Sequence, residues 1–165
     1  MANKTKISHK TIVTFHKEIA EKHVDINGFY RFNWNEIEGS FRSGVATPTL
    51  LLESTSSDFS ENPNKTTSFN NRRVSFLILN YAGRANDFDK QEDVLDETEA
   101  IALEISAYLK TMSNDSSSWL YGLYDVDSLK IEKVGPIFDN MFGWNVIYTI
   151  KNKQTMVMDP SKWRD

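Results

Sequence analysis

The chain has 165 residues, 39% of them hydrophobic and 25% charged, and carries a formal net charge of −4. That is the length and chemistry of one globular domain with a core of its own, not of a fibre or a disordered tail. The absence of cysteine excludes disulfides, thiolate metal sites and a cysteine nucleophile, and the negative charge argues against nucleic-acid binding by bulk electrostatics.

In chain order, the basic stretch before Ser8 lacks an apolar core, so no secretory signal is expected. No run approaches the roughly 20 apolar residues of a membrane span. Ser8 is a natural N-cap for a helix reaching about His23, with Ile12, Phe15 and Ile19 on one stripe. Asp25-Ile26-Asn27-Gly28 breaks it. Phe29 to Trp34 reads either as a short aromatic strand or as the approach to a short helix carrying Ile37 and Phe41, and the helix is preferred. After Pro48, the residues Thr49 to Thr55 read as a strand with a buried central run. Ser56 to Asn71, rich in Ser, Thr and Asn and interrupted by Pro63, reads as a long polar loop. Arg73 to Tyr81 is a second strand, too apolar on both faces to be exposed.

An acidic connector, Asn86 to Asp89, leads into the strongest helix signal. From Glu92 to Met112 the residues Leu95, Ala102, Ile105, Leu109 and Met112 recur at helical spacing, and Asp93, Asp96 and Glu97 favour the positive end of the dipole. Trp119 to Asp127 reads as a last helical turn or a connecting strand. Ser128 to Lys151 then forms two strands across a loop, the first ended by Gly135-Pro136. In the second, Trp144, Val146, Tyr148 and Ile150 alternate with Asn145, Ile147, Thr149 and Lys151, which gives one apolar face and one mixed face. Residues 153–165 read as an arm or an extra strand. The expectation is one α+β domain with its core at 8–152, built as a four-stranded, mainly antiparallel sheet with two main helices packed on one face.

Candidate chemistry is sparse. His9, His16 and His23 fall seven residues apart, which places the rings roughly 10 Å from one another along the helix, too far to share an ion; a solvated face is expected for all three. Asp87 and Asp89 begin like a calcium loop, but Glu92 stands where the turn glycine belongs and Thr98 where the bidentate glutamate belongs. There is no G-x-S-x-G and no phosphate-cradling glycine motif. No catalytic, cofactor-binding or metal-binding residue is assigned, and no cofactor is expected. Arg72-Arg73 is the only adjacent basic pair outside the N-terminal stretch, and is read as edge charge flanking a strand.

The element order, the Thr49-Leu50-Leu51-Leu52-Glu53 strand after a short helix, and the closing Val134 to Lys151 segment with Gly143-Trp144 resemble the small tail-terminator (tail-completion) proteins of long-tailed bacteriophages and prophages. The resemblance spans Ser8 to Asn152 by order of elements. It implies a non-enzymatic virion protein, assembled in the bacterial host cytoplasm. Such a protein forms a ring, usually a hexamer, that caps the tail tube and joins it to the neck or connector. It binds neither a membrane nor a specific nucleic-acid sequence, although DNA passes through the ring. A head-completion or other neck protein is the nearest alternative, and a small α+β ligand-binding protein or enzyme is the alternative of another class. On the ring reading, Phe59, Phe69, Arg72 and Arg73 are candidate subunit or partner contacts, and the loop from Ser56 to Asn71, which holds the two phenylalanines, is expected to order on assembly. Asp93, Glu97 and Glu104 are candidate channel-facing acids, because carboxylates repel passing phosphates.

Overall fold

The computed structural model describes residues 7–31 and 44–164. The elements run α1 (His9–Lys22), β1 (Gly28–Arg31), β2 (Thr49–Leu52), β3 (Ser56–Glu61), β4 (Ser68–Tyr81), α2 (Phe88–Asn114), β5 (Tyr124–Ile137) and β6 (Met141–Lys153), with a one-turn 3-10 helix at Pro160–Lys162. The α+β class is as expected, but the sheet is mixed and has six strands, not four. Its order is β1-β2-β4-β6-β5, with β3 also paired to β4. The β1–β2 pairing is parallel and the other four are antiparallel.

Two strands account for the difference. Gly28–Arg31, on which the short-helix reading had bordered, is a strand beside β2; Ile37 and Phe41 lie outside the described residues. The expected polar loop from Ser56 to Asn71 is instead a hairpin. Ser56 to Glu61 pairs residue for residue with Arg73 to Ser68, and only Asn62 to Thr67 turn. Asn62 closes that turn, its Oδ1 accepting from the Thr66 and Thr67 N–H groups at 2.8 and 2.9 Å. β2 and β3 lie end to end along one side of β4, offset by one residue at Glu53 to Thr55. Such an offset is the mark of a bulge.

β4 is the spine, paired with β6 over thirteen positions from Phe69↔Lys153 to Tyr81↔Met141. Its even-numbered side chains and those of β6 face both helices. Leu50, Leu52, Val74, Phe76, Ile78, Val146, Tyr148 and Ile150 form one cluster with Ile12, Phe15 and Ile19 of α1 and Ile101, Ala102, Ile105 and Leu109 of α2. α1 lies over β1 and β2, whereas α2 lies over β4, β5 and β6. On the opposite face Leu51, Leu77, Leu79 and Met141 make a second cluster with Tyr30, Val45 and Val134. The two faces explain why Arg73 to Tyr81 carries apolar residues on both sides.

Ser8 caps α1 as expected, accepting from the Thr11 N–H at 3.2 Å. α2 begins one turn before Glu92, because Asp87 is its N-cap and accepts from the Lys90 N–H. β5 starts at Tyr124, which settles Trp119 to Asp127 as turns running into a strand, and it continues past Gly135-Pro136 rather than ending there. A register shift between Val134 and Ile137 absorbs the proline, and Gly135 takes a φ of 124° that side chains avoid. Gly143 meets a different constraint. A Cβ there would stand 1.8 Å from the Ile78 carbonyl oxygen, so the Gly143-Trp144 pair places glycine where β4 and β6 approach most closely.

Candidate functional site: the hairpin end of the sheet

The helices cover one end of the sheet and leave the other bare. At the bare end β3, the first half of β4 and the last residues of β6 run on together. Every residue of β3 is exposed. One face carries the rows Ser56–Arg73–Thr149 and Asp58–Asn71–Lys151, and the other carries Ser57–Arg72–Ile150 and Phe59–Asn70–Asn152. Phe59 is 54% exposed. Phe69 is half-buried and lies under the Lys151 ammonium, 5.0 Å from its ring centre, a cation–π contact.

Arg72 and Arg73 sit inside β4 rather than flanking it. They point to opposite faces, so they do not form a single basic grip. Arg73 is exposed. Arg72 donates from Nη2 to the Ile7 carbonyl at 3.2 Å, while its buried Nε has no hydrogen-bond partner. Three other buried polar atoms lie in the same neighbourhood without one: Asn70 Oδ1, Asn152 Oδ1 and the Tyr124 hydroxyl. Asn70 and Asn152 are opposite each other, and Arg72, Ile150 and Tyr124 share one row. Burial, helped by the Asp125 charge, pushes the Tyr124 phenol above its usual range. Orphaned buried groups cost about 1–3 kcal/mol each. Four of them gathered on one face make this the least satisfied part of the sheet. Sequence reasoning missed Asn70, Tyr124 and Asn152. The readable signal was the asparagine at both Asn70 and Asn152, each next to an alternating apolar run.

The candidate acids of α2, Asp93, Glu97 and Glu104, are exposed, although Glu97 reaches back to β4 and accepts from Asn80 Nδ2 at 2.7 Å. Glu104 borders a groove of about 370 Å³ between α1 and α2, lined also by Ile19, His23 and Tyr108. They share a stripe along the helix at the end of the sheet opposite the bare hairpin.

The three histidines part company, contrary to the expected solvated face. His9 is exposed, His23 is the C-cap of α1, and His16 is fully buried. His16 donates from Nδ1 to the Ile12 carbonyl at 2.8 Å and accepts at Nε2 from the Tyr148 hydroxyl at 3.1 Å. Its ring packs against Phe15, Phe76 and Tyr148. Burial pushes the imidazole down to about 4, against the Ile12 bond, which acts in the other direction. Burial and the neighbouring Tyr124 push the Tyr148 phenol far up. This is a neutral, satisfied core pair that ties α1 to β6.

Beyond Gln154, whose N–H donates to the Ser68 carbonyl at 2.9 Å, the chain leaves the sheet as an exposed arm. Met156, Val157, Met158 and Trp163 are 62–80% exposed. Asp159 folds the following residues into a one-turn cap, accepting from the Ser161 N–H at 3.0 Å. Among the described residues no helix is long and apolar enough to cross a membrane, and no three His, Asp or Glu side chains converge on a point. No protein-family model, curated protein or solved structure matches this chain.

Proposed function

We propose that this chain is a structural assembly protein that self-associates into a ring of six copies and acts at the end of a phage tail tube as the tail terminators it resembles do. The observation that carries the reading is the bare end of the sheet. A six-residue edge strand exposed on both faces, a neighbouring group of orphaned buried polar atoms and an apolar arm all stand on one side of a well-packed body. An exposed, unpaired edge is a template on which another chain can add. Four large apolar side chains exposed within one short arm likewise mark an interaction segment.

On this reading the body supplies stability and the bare end supplies contacts to the next copy, the tail-tube protein and the neck. The acidic face of α2, with Asp93, Glu97 and Glu104, lines the channel and keeps passing DNA from sticking. The protein belongs to the virion tail or neck and assembles in the host cytoplasm.

The test is to polymerise the cognate tail-tube protein with and without this chain and image the products. Termination predicts tubes capped at one end by a ring and no further growth from that end. Tubes that elongate equally in both reactions refute the proposal, and rings found only on the head portal assign the chain to the neck.

A further inference from the structure

We propose that the C-terminal arm of one copy adds as a strand to the free edge of β3 in the next copy; this rests on the ring reading and names the contact that closes it. Two unpartnered elements carry the inference. Among the described residues β3 pairs only with β4, which leaves its other edge open, and all six of its residues are exposed. Gln154 to Met158 continues beyond β6 outside any helix or strand, and Thr155 to Met158 are exposed. Among the described residues, the hydrogen bond that joins 155–164 to the chain before it is a local one, Gln154 Nε2 donating to the Thr155 carbonyl at 3.4 Å. One element is an edge lacking a strand, and the other is a segment lacking a sheet. Main-chain bonding between them would supply affinity, and alternate side chains would supply specificity.

The outward groups of β3 can be identified. The Asn62 N–H donates to the Thr67 carbonyl at 3.0 Å, and antiparallel pairs alternate in their bonding. Ser60, Asp58 and Ser56 therefore bond inward to β4, while Ser57, Phe59 and Glu61 offer N–H and C=O groups outward. Charge agrees with the pairing. Residues 53–61 hold Glu53, Asp58 and Glu61 and no base, whereas residues 153–165 hold Lys153, Lys162 and Arg164 against Asp159 and Asp165.

Geometry makes the contact intermolecular. Gln154 is held at β4, on the β6 side. The open edge of β3 lies on the far side of β4, about 14 Å away at roughly 4.8 Å per strand. Crossing that span takes about four extended residues, which would consume Thr155 to Met158 before any pairing began. A neighbouring copy needs no such crossing. Donor and acceptor are different surfaces, so the contact is heterologous and propagates head to tail until it closes. The other long edge, β5, is a poorer acceptor. It slips register between Asp125 and Lys130, where Ser128 Oγ takes the Thr149 N–H.

The chain has no native cysteine, so single cysteines report cleanly. Phe59→Cys and Val157→Cys proteins are mixed under assembly conditions and treated with a short bismaleimide. The proposal expects at least a tenfold excess of crosslinked dimer in the mixture over either variant alone. It also expects that a chain ending at Lys153 and a Phe59→Pro chain, both keeping the wild-type circular dichroism, fail to assemble. If wild-type rings form while the mixture crosslinks no more than its components and the shortened chain assembles normally, strand addition is refuted and the ring stands. If the double cysteine variant crosslinks only within one chain, the arm folds back in cis and the proposal is refuted. If the wild-type chain stays monomeric beside its tube protein, the ring reading and this inference both fall.

Discussion

Lowering the pH should unlock the core through His16. The imidazole is fully buried, and burial holds it down to about 4 in the folded protein, against an ordinary 6.5 in an unfolded chain. Below pH 6.5 the unfolded state therefore binds a proton that the folded state refuses. The free energy of unfolding falls as pH falls, because its slope with pH follows the excess of protons bound by the unfolded chain. The loss runs at about 1.4 kcal/mol per pH unit, starts near pH 6.5 and levels off below about pH 4, for about 3 kcal/mol in all. Above pH 6.5 both states are neutral at this site and it contributes no slope. Carboxylates also titrate at the acid end, so the measurement is a difference. Urea unfolding followed by tryptophan fluorescence from pH 8 to 4.5 should show the wild type losing about 2 kcal/mol more than His16→Gln between pH 7 and 5. Glutamine can keep a donor toward Ile12 and an acceptor toward Tyr148 but carries no proton to gain. If the two proteins stay parallel to within about 0.5 kcal/mol over that range, His16 is not desolvated and the account of the α1–β6 contact is wrong.

Two further substitutions probe the packing of β4 on β6. Gly143→Ala forces a methyl into the Ile78 carbonyl, with backbone on the other side and nowhere to move; a loss of about 3 kcal/mol or more in thermal or urea unfolding is expected, and a loss under 1 kcal/mol would show that the strands can separate locally at little cost. Trp144 is half-buried and donates from Nε1 to the Leu95 carbonyl at 2.9 Å, so Trp144→Phe should cost about 1 kcal/mol and Trp144→Ala about 2–3 kcal/mol, less than a fully buried indole would. Equal costs for Phe and Ala would mean that the hydrogen bond, and not the ring's area, is what matters there.

What was legible in the sequence is what folds by burying one face. The stripe of Ile12, Phe15 and Ile19, the helical spacing from Leu95 to Met112 and the alternation from Trp144 to Ile150 each put apolar residues into a single cluster. β3 was illegible for the converse reason. Its residues Ser-Ser-Asp-Phe-Ser-Glu face solvent on both sides, so no period of two exists to be read, and the strand is held by backbone pairing to β4. A polar edge and a polar loop have the same composition. β1 is four residues long and is placed by a parallel partner twenty-one residues away in sequence, so the aromatic strand reading of Phe29 to Trp34 had no local pairing signal to favour it over the helix. His16 was misread although a signal existed: it stands four residues after Ile12 and three before Ile19, inside the buried stripe, so the seven-residue spacing to His9 and His23 was the wrong comparison. The orphaned group at Asn70, Arg72, Tyr124 and Asn152 depends on the β4–β6 and β5–β6 registers. Only the folded sheet brings those residues together.

The division between body and bare end also explains where the sequence tolerates cost. The clusters around Leu77 and Phe142 lie toward the Tyr81 end of β4, and the His16–Tyr148 pair stands at mid-strand, where Tyr148 is opposite Val74. Substitutions there act on folding of the single chain. The unpaired edge, the apolar arm and the orphaned polar atoms lie together at the Ser68 end, where they add little to that folding and in part oppose it. A protein that only had to fold would replace Asn70 and Asn152 with a β-branched pair and trim the chain at Lys153, and would be more stable for it. Retaining them makes physical sense if their free energy is recovered between molecules. Replacing Asn70 and Asn152 should then leave the monomer folded and at least as stable, while assembly should be lost.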